Sequence, residues 1–354
     1  MIPILYESDE MEFRSNGLGR LRDCIRCECV EERNSIYEVE FDYPVTGVHY
    51  SDIKLGRIIA VEHDDSGNVQ PFDIYKYSRP INGIVTFYAS HISYRLNGVI
   101  VSKPYVGNVT SLEYALAWIR SDNYPSNPFK LYSDFDASGV LTLADSLPHT
   151  VREYLGGTEG SILDIYGGEY EWDRFTVKLL KDRGLYRDIT IRYGTNMTEF
   201  TDDMDYSETY TAVQTFWYKD GVVVYGQPST LDINYFNGRE YCIPLDLTDE
   251  YEEQPTPELL EFDGRQYLLK NRPYLPSQNI KVDFVRLKDM ADSKEIANLQ
   301  KCQLCDHIKV YFPMYDFEGD FKIVRVVWDV LQERYTEMEL GNLSTTLSEA
   351  LGIK

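Results

Sequence analysis

The sequence predicts an α+β protein that is mainly β. Between residues 21 and 107, apolar and polar side chains alternate with a period of two, which is typical of half-buried strands. Turn-forming residues separate these segments at short intervals. The 354 residues include 29 Tyr and 15 Phe, and such aromatic side chains favour pleated strands. Helical periodicity is confined to a few stretches, which we expect to interrupt the β structure.

The first block contains five predicted strands, at residues 24–32, 35–43, 56–61, 72–77 and 83–92. The turn signals between them are Arg33-Asn34, Thr46-Gly47, Asp65-Ser66-Gly67-Asn68 and Ile81-Asn82-Gly83. Short strands joined by such turns predict a small antiparallel barrel or a strongly bent sheet.

The period changes at residue 111. The apolar residues Leu112, Ala115, Leu116 and Ile119 fall on one helical face, and Thr110 or Ser111 is the expected N-cap. A short second helix is predicted over residues 150–155. Strands are expected at 161–166 and 172–180, so the sequence predicts an α/β insertion from about residue 108 to residue 192.

The second half is again β, with one helix. The two-residue turn Asp220-Gly221 predicts a hairpin of strands 216–219 and 222–226. A helix is predicted over 255–270, where Pro273 and Pro276 would stop it, followed by a strand at 280–287. In the last block, Glu318-Gly319-Asp320 is expected to turn between strands 308–314 and 321–328, and 342–354 has the leucine spacing of a helix.

The first and last β blocks share an outline. Residues 56–77 and 306–327 each show a strand, a glycine-containing turn and a second strand rich in β-branched residues. An internal duplication would produce this likeness, and so would the general similarity of β-hairpins. Both interpretations stay open.

The charge balance excludes an ordinary DNA-binding surface. The chain has 35 Lys plus Arg and 58 Asp plus Glu, and 35 − 58 = −23. Such a surface repels phosphates. It is compatible with a passage along which DNA slides without sticking, or simply with solubility. Residues 1–10 lack the features of a signal peptide, and no apolar run reaches the ~20 residues of a membrane helix.

Six cysteines raise the question of a zinc site. Cys24-x-x-Cys27 and Cys302-x-x-Cys305 have a spacing that zinc ligands use, and Cys29 and Cys242 complete the set. The strand pattern around Cys24, Cys27 and Cys29 places odd-spaced side chains on opposite faces. We therefore interpret the cysteines as buried free thiols, as expected for assembly in a reducing cytoplasm.

The sequence predicts no catalytic, cofactor-binding or metal-binding residue. The histidines His49, His63, His91, His149 and His307 form no H-E-x-x-H pair. We interpret His63-Asp64-Asp65 as a solvated loop and His91 as a hydrogen-bonded sheet histidine. Glu169 and Glu171 share a strand face as a glycosidase pair would, but we assign them to structure. The run Asp202-Asp203-Met204-Asp205 lacks the EF-hand pattern and is interpreted as a loop.

Three collinear segments resemble one protein family. Residues 161–197 contain Gly167-Gly168-Glu169, Trp172, Arg183-Gly184 and Arg192-Tyr193-Gly194-Thr195-Asn196; the other two segments are 70–96 and 305–341. Together they resemble the tail-associated hub proteins of long-tailed phages, called phage minor structural proteins or prophage tail endopeptidases. This family is related to the baseplate hub of contractile-tailed phages.

The resemblance implies two small β-barrel-like tube domains with α/β insertions. The expected divisions are 1–107 for the first tube domain, 108–192 for the inserted domain, 193–250 for β structure of the second tube region, 251–300 for a helix-strand insertion, and 301–354 for the closing β segment and helical tail. Three chains would then present six similar units, matching a six-fold tail ring.

The expected function is a homotrimeric structural hub at the virion tail tip that closes the tail tube and opens for DNA ejection. Implied partners are further copies of the chain, the distal tail protein, the tape measure protein and receptor-binding proteins, without sequence-specific nucleic acid. Assembly would take place in the cytoplasm of the bacterial host. Lytic activity in the family is expected in a C-terminal extension, absent here. The alternatives are a peptidoglycan-degrading tail endopeptidase and a receptor- or carbohydrate-binding tail module.

Overall fold

The protein is mainly β and divides into two compact units. A computed structural model describes residues 1–102, 109–141, 147–192, 197–207, 209–231, 240–275, 277–284, 302–312 and 317–341. The first unit comprises Met1–Thr201 and Ile280–Lys354, and the second comprises Asp202–Asn279.

The first unit begins with a set of antiparallel strands. They are β1 (Ile4–Tyr6), β2 (Gly19–Arg20), β3 (Arg26–Glu32), β4 (Tyr37–Pro44), β5 (Ile58–Glu62), β6 (Val69–Ser78) and β7 (Ile84–His91). Their order in the sheet is β3-β4-β7-β6-β5-β1-β2, and every neighbouring pair is antiparallel. Strands β3 and β4 alternate strictly between buried and half-buried residues, as the sequence pattern predicts.

The inserted part of the first unit contains helices and a small separate sheet. Its elements are β8 (Ile100–Val101), α1 (Leu112–Ser121), β9 (Asn123–Tyr124), β10 (Lys130–Ser133), α2 (Val151–Leu155), α3 (Ile162–Tyr166), β11 (Glu169–Asp173) and β12 (Thr176–Leu180). The hydroxyl of Ser111 caps α1, and Leu112, Ala115, Leu116 and Ile119 are buried as predicted. Thr150 and Glu153 form a capping box at α2.

The strand predicted at residues 161–166 is wrong for residues 162–166. They form the helix α3, not a strand, because five residues with Ile at both 162 and 165 fit either period. The helix ends at Gly167, whose φ of 68° is left-handed and costs little only for glycine. The predicted strand 172–180 is the hairpin β11–β12, which turns at Arg174.

Six further strands from the middle and the C-terminal part of the chain complete the large sheet. They are β13 (Tyr186–Arg192), β14 (Met197–Asp205), β19 (Ser277–Phe284), β20 (His307–Phe312), β21 (Phe317–Asp329) and β22 (Arg334–Gly341). Strand β21 pairs with β22 on one side and with β3 on the other, so the two β blocks form one sheet, which curls into a half-barrel. Strands β14 and β19 each run across the boundary between the units.

The predicted turn at Glu318-Gly319-Asp320 is wrong. All three residues lie within β21 and pair with β20, with Asp320 opposite Lys309. The connection between these strands falls at residues 313–316, outside the described residues, as does the predicted helix at 342–354. Glycine in a strand interior misled the prediction, because it signals a turn more often than a paired strand position.

The second unit is a small sheet with one helix. Its strands are β15 (Ala212–Lys219), β16 (Val222–Tyr225), β17 (Ser229–Thr230) and β18 (Cys242–Asp246), and its helix is α4 (Pro257–Asn271). The Asp220-Gly221 hairpin forms as predicted. Gly264 does not break α4, and it lies close to β15 and β17: a Cβ there would be 3.0 Å from the side chains of Thr215 and Ser229. Short 3-10 helices span Tyr50–Asp52, Ile92–Gly98 and Thr248–Glu250.

Candidate functional site

The carboxylates of Glu169 and Glu171, which the sequence places on one face of a strand, bind different lysines in the structure. Glu169 is buried and accepts a hydrogen bond of 2.5 Å from the Lys322 ammonium. Glu171 is half-buried and pairs with Lys178 at 2.5 Å across the β11–β12 hairpin. Each carboxylate is thus bound to a lysine, an arrangement that joins strands.

The histidines are distributed over the fold and meet different neighbours. His91 is fully buried at the end of β7, where its Nδ1 lies 3.0 Å from the Ser93 hydroxyl and its ring stacks on Tyr37. Burial lowers the pKa of His91 well below its usual range. The interpretation of His91 as a hydrogen-bonded sheet histidine is therefore confirmed. The prediction of a solvated loop is wrong for His63, which is buried beside Tyr37, and right for Asp65, which is exposed.

A buried ionic network connects the inserted hairpin to the large sheet. Its first link is Arg183, whose Nη1 donates to Glu31 of β3 at 2.7 Å and to the carbonyl oxygen of Tyr170 at 3.1 Å. The backbone N–H of Arg183 donates to Glu169 at 2.8 Å. Burial alone would lower the pKa of the guanidinium, but the charge and hydrogen bond of Glu31 raise it. The side chains of Glu31 and Arg183 are 6% and 13% exposed, so each needs the other.

The second link passes through Lys322 of β21. Its ammonium contacts Glu169 at 2.5 Å and Asp182 at 2.9 Å. Burial would lower the pKa of Lys322, but these two carboxylates raise it. Asp182 also lies 3.0 Å from Nε2 of His307. We call Glu31, Glu169, Asp182, Arg183, His307 and Lys322 the ionic network.

The ionic network predicts a pH dependence. Burial would raise the pKa of Asp182, but its hydrogen bond with Lys322 and the charges of Lys322 and His307 lower it overall. A carboxyl whose folded pKa is lowered stabilises the protein above its unfolded pKa, and that contribution is lost as the pH falls through the folded value. Because the Asp182 side chain is 42% exposed, we expect a contribution below about 1 kcal/mol.

This dependence can be measured by urea unfolding between about pH 6 and pH 3. The free energy of unfolding should fall on acidification, and Asp182→Asn should fall less steeply than the wild type. Asp249→Asn, at an exposed aspartate of the second unit, is the matched control and should follow the wild-type slope. Equal slopes for Asp182→Asn and the wild type would contradict this assignment.

Two glycines of the sequence motifs give the network its geometry. A Cβ on Gly184 would lie 1.7 Å from the carbonyl oxygen of Cys305, so the two chain segments touch through their backbones. Gly168 has a φ of 102°, and a Cβ there would lie 2.8 Å from the carbonyl oxygen of Leu180. Only glycine allows both approaches. The motif residues therefore bring Glu169 and Arg183 to their partners.

Asp306 is a buried carboxylate that binds groups from two chain segments. Its Oδ1 accepts the backbone N–H of Leu185 at 2.8 Å, and its Oδ2 accepts from Arg187 at 2.7 Å and from the backbone N–H of Gln303 at 2.9 Å. These bonds satisfy a carboxylate that is only 2% exposed. They hold β13 beside β20, a parallel pair that the sequence did not predict.

The interpretation as buried free thiols is right for four cysteines and wrong for Cys242, whose side chain is exposed. Cys27, Cys29, Cys302 and Cys305 are buried, Cys24 is half-buried and Cys242 is exposed; all are free thiols. Burial raises the pKa of Cys302 to about 12. In the described residues no group of three or more His, Cys, Asp or Glu side chains is arranged to hold a metal ion.

One end of the first sheet exposes apolar side chains. The strands β4, β6 and β7 end together here, because Pro44 pairs with Ile84 and Ser78 with Thr86. We define the apolar rim by its exposed residues Val45, Val48, Tyr77 and Ile81. Val48 is 80% exposed and Ile81 fully exposed. Such a cluster is typical of a surface that another molecule covers.

Comparisons with known proteins place this fold in one class. The structure is similar to prophage tail protein gp18 from Listeria monocytogenes EGD-e, with a TM-score of 0.62 and 15% identity over 99% of this chain and 97% of that one. It is also similar to a tail protein from Neisseria meningitidis MC58, with a TM-score of 0.60 and 10% identity over 99% and 98% of the two chains.

A third similar structure is the 43 kDa tail protein of prophage MuSo2 from Shewanella oneidensis, with a TM-score of 0.59 and 10% identity over 96% of this chain and 98% of that one. The protein therefore has the fold of phage tail proteins, which confirms the resemblance seen in the sequence. No protein-family model and no curated protein matches the sequence itself. None of the helices in the described ranges is long and apolar enough to cross a membrane.

Proposed function

We propose that this protein is a structural hub at the distal end of a phage or prophage tail. The observation that carries the proposal is the extent of the fold similarity, which covers 99% of this chain and 97% of the Listeria prophage tail protein. The match extends over both whole chains and is therefore more than a common β motif. The protein would act through its surfaces as a component of the tail.

The hub would work as a cyclic trimer in which each chain supplies two barrel-like tube regions. The curled sheet joins the first and last β blocks through the β21–β3 pairing, so that one chain can contribute both regions to a ring. The apolar rim supplies surface that a neighbouring subunit or tail protein can cover. Partners in this assembly would be the distal tail protein, the tape measure protein and the receptor-binding proteins.

The charge suits a tube that closes before infection and opens for DNA ejection. With a net charge of −23, the wall would repel phosphates rather than retain them. Every fixed cation within about 8 Å of the passing DNA would slow it at physiological salt. We therefore expect the residues facing the axis of the assembled ring to be acidic or neutral on balance.

Labelling of intact particles tests this proposal. Particles purified from a lysate of cells that carry the gene should contain the protein, and antibody-bound gold should mark the end of the tail opposite the head. Antibody against the major tube protein, which should label the whole tail length, is the control. Absence of the protein from the particles, or label on the head, would contradict the proposed function.

A further inference from the structure

A cavity of about 470 Å³ opens at the edge of the large sheet. Its lining consists of Asn16, Arg20, Arg22, Asp23, Val48 and His49. The strand β2, which carries Arg20, ends the sheet order and has β1 as its neighbour. The cavity thus lies beside an edge strand and beside Val48 of the apolar rim.

The cavity holds cationic groups on a protein that is otherwise strongly acidic. The Nε of Arg20 donates to the Asn16 amide at 3.2 Å, and in the part of the chain that the structure describes neither Arg20 nor Arg22 forms an ion pair. The carboxylate in the lining, Asp23, is bound by the protein itself: its Oδ2 accepts from the backbone N–H of Val48 at 2.9 Å and from the Tyr43 hydroxyl at 3.3 Å. Two guanidinium groups therefore remain available.

The walls of the cavity are fixed by packing. The His49 imidazole lies against the backbone of Gly19, where a Cβ would be 2.3 Å from the ring. Its Nδ1 lies 3.1 Å from Asp52, and its backbone N–H donates to the Tyr43 hydroxyl at 3.4 Å. Tyr43 itself is fully buried. The imidazole and Asp23 are therefore held in place between β2 and the end of β4.

We propose that this cavity is a docking site for an acidic segment of a partner protein. Arginine binds carboxylates through two parallel hydrogen bonds, so Arg20 and Arg22 suit Asp or Glu side chains. The exposed side chain of Val48 in the lining suits an apolar or aromatic side chain next to those acids. This inference does not rest on the proposed function.

A short peptide fits this surface better than a long polyanion. The remaining surface carries the excess of acids that gives the chain its charge of −23. A polymer of phosphates or sulfates would extend from the cavity over this acidic surface and be repelled at distances up to about 8 Å. A segment of a few residues places its charge in the cavity alone.

A labelled peptide provides the probe. Residues 246–255 of this chain, with the sequence DLTDEYEEQP, combine five acids with an aromatic and a leucine, which is the chemistry proposed for the partner. Fluorescence anisotropy should show binding of this peptide to the purified full chain. The analogue in which Asn and Gln replace Asp and Glu should bind at least tenfold more weakly.

Variants then locate the site. The double variant Arg20→Gln/Arg22→Gln should lose at least tenfold in affinity, and Val48→Ser should lose a smaller factor without a change in salt dependence. Arg14→Gln/Arg265→Gln, at two exposed arginines outside the cavity, should bind as the wild type does. Circular dichroism melting curves of all variants should coincide, which separates binding from folding.

Three results would overturn the inference: no binding of the acidic peptide at millimolar concentration, equal binding by Arg20→Gln/Arg22→Gln, or tighter binding of polyphosphate through the same arginines. The last result would assign the cavity to a phosphate polymer. These measurements use the isolated chain, whereas the proposed function is tested on particles. Either idea can therefore fail without the other.

Discussion

Gly184→Ala should lower the free energy of unfolding by about 3 kcal/mol or more, the upper end of what overpacking costs. The added Cβ would lie 1.7 Å from the carbonyl oxygen of Cys305 and 2.7 Å from the backbone nitrogen of Asp306. Both atoms belong to the backbone, so no side-chain rotation relieves the clash. Separating the two segments would also weaken the hydrogen bond from Leu185 to Asp306.

Urea unfolding followed by tryptophan fluorescence measures this effect. Gly98→Ala is the matched control, because a Cβ at Gly98 meets no atom within 4 Å. Its change in stability should stay within about 0.5 kcal/mol. If the two alanine variants have the same stability, the close approach of Gly184 to Cys305 is not a feature of the folded protein.

The local parts of the fold could be predicted from the sequence. The alternation of Tyr37 to Tyr43 gives β4, and the four apolar residues at helical spacing give the buried face of α1. The Asp220-Gly221 turn gives its hairpin because the required positive φ values occur at both residues. In each case the signal lies within a few residues, which is the range over which backbone preference acts.

The prediction failed where a short segment satisfied two patterns. Residues 161–166 contain four apolar residues out of six, which fit a buried strand and a single helical turn equally well. Packing decides the outcome: Ile162 and Leu163 enter the core while Asp164 stays outside and accepts the backbone N–H of Gly160. That information is tertiary and is not contained in the spacing.

The ion pairs of the ionic network could not be predicted from the sequence either, because they join residues that are far apart in the chain. Arg183 and Glu31 are 152 residues apart, and Lys322 and Glu169 are 153 residues apart. Among 58 acidic residues, no spacing marks these two as the buried ones. The signal that could have found Arg183 and Glu169 is the glycine beside each, Gly184 and Gly168, because a glycine next to a charged residue permits a close backbone approach.

The ionic network gives structural contacts to two residues of the sequence motifs. Glu169 and Arg183 lie in the segment that resembles the phage hub family, and both are bound to partners on the large sheet. Buried charges of this kind specify one arrangement, because any other leaves a charge without a partner. The position of the inserted hairpin on the sheet is thereby fixed.

Arg183→Met should cost about 3–5 kcal/mol of unfolding free energy, the usual effect of removing one partner of a buried ion pair. Methionine fills a similar volume but leaves Glu31, which is 6% exposed, and the Tyr170 carbonyl without their donor. Lys178→Met is the matched control: it removes the pair with Glu171, in which both side chains are over 30% exposed, and should cost less than about 1 kcal/mol.

A double variant distinguishes a lost ion pair from lost packing. Because the cost of Arg183→Met arises mainly from the stranded Glu31 carboxylate, adding Glu31→Leu should restore stability rather than reduce it further. Urea unfolding of the two single variants and the double variant provides the coupling free energy, which should exceed about 1 kcal/mol. Additive losses would mean that Arg183 and Glu31 stabilise the fold independently, and that the hairpin is held on the sheet by apolar contacts alone.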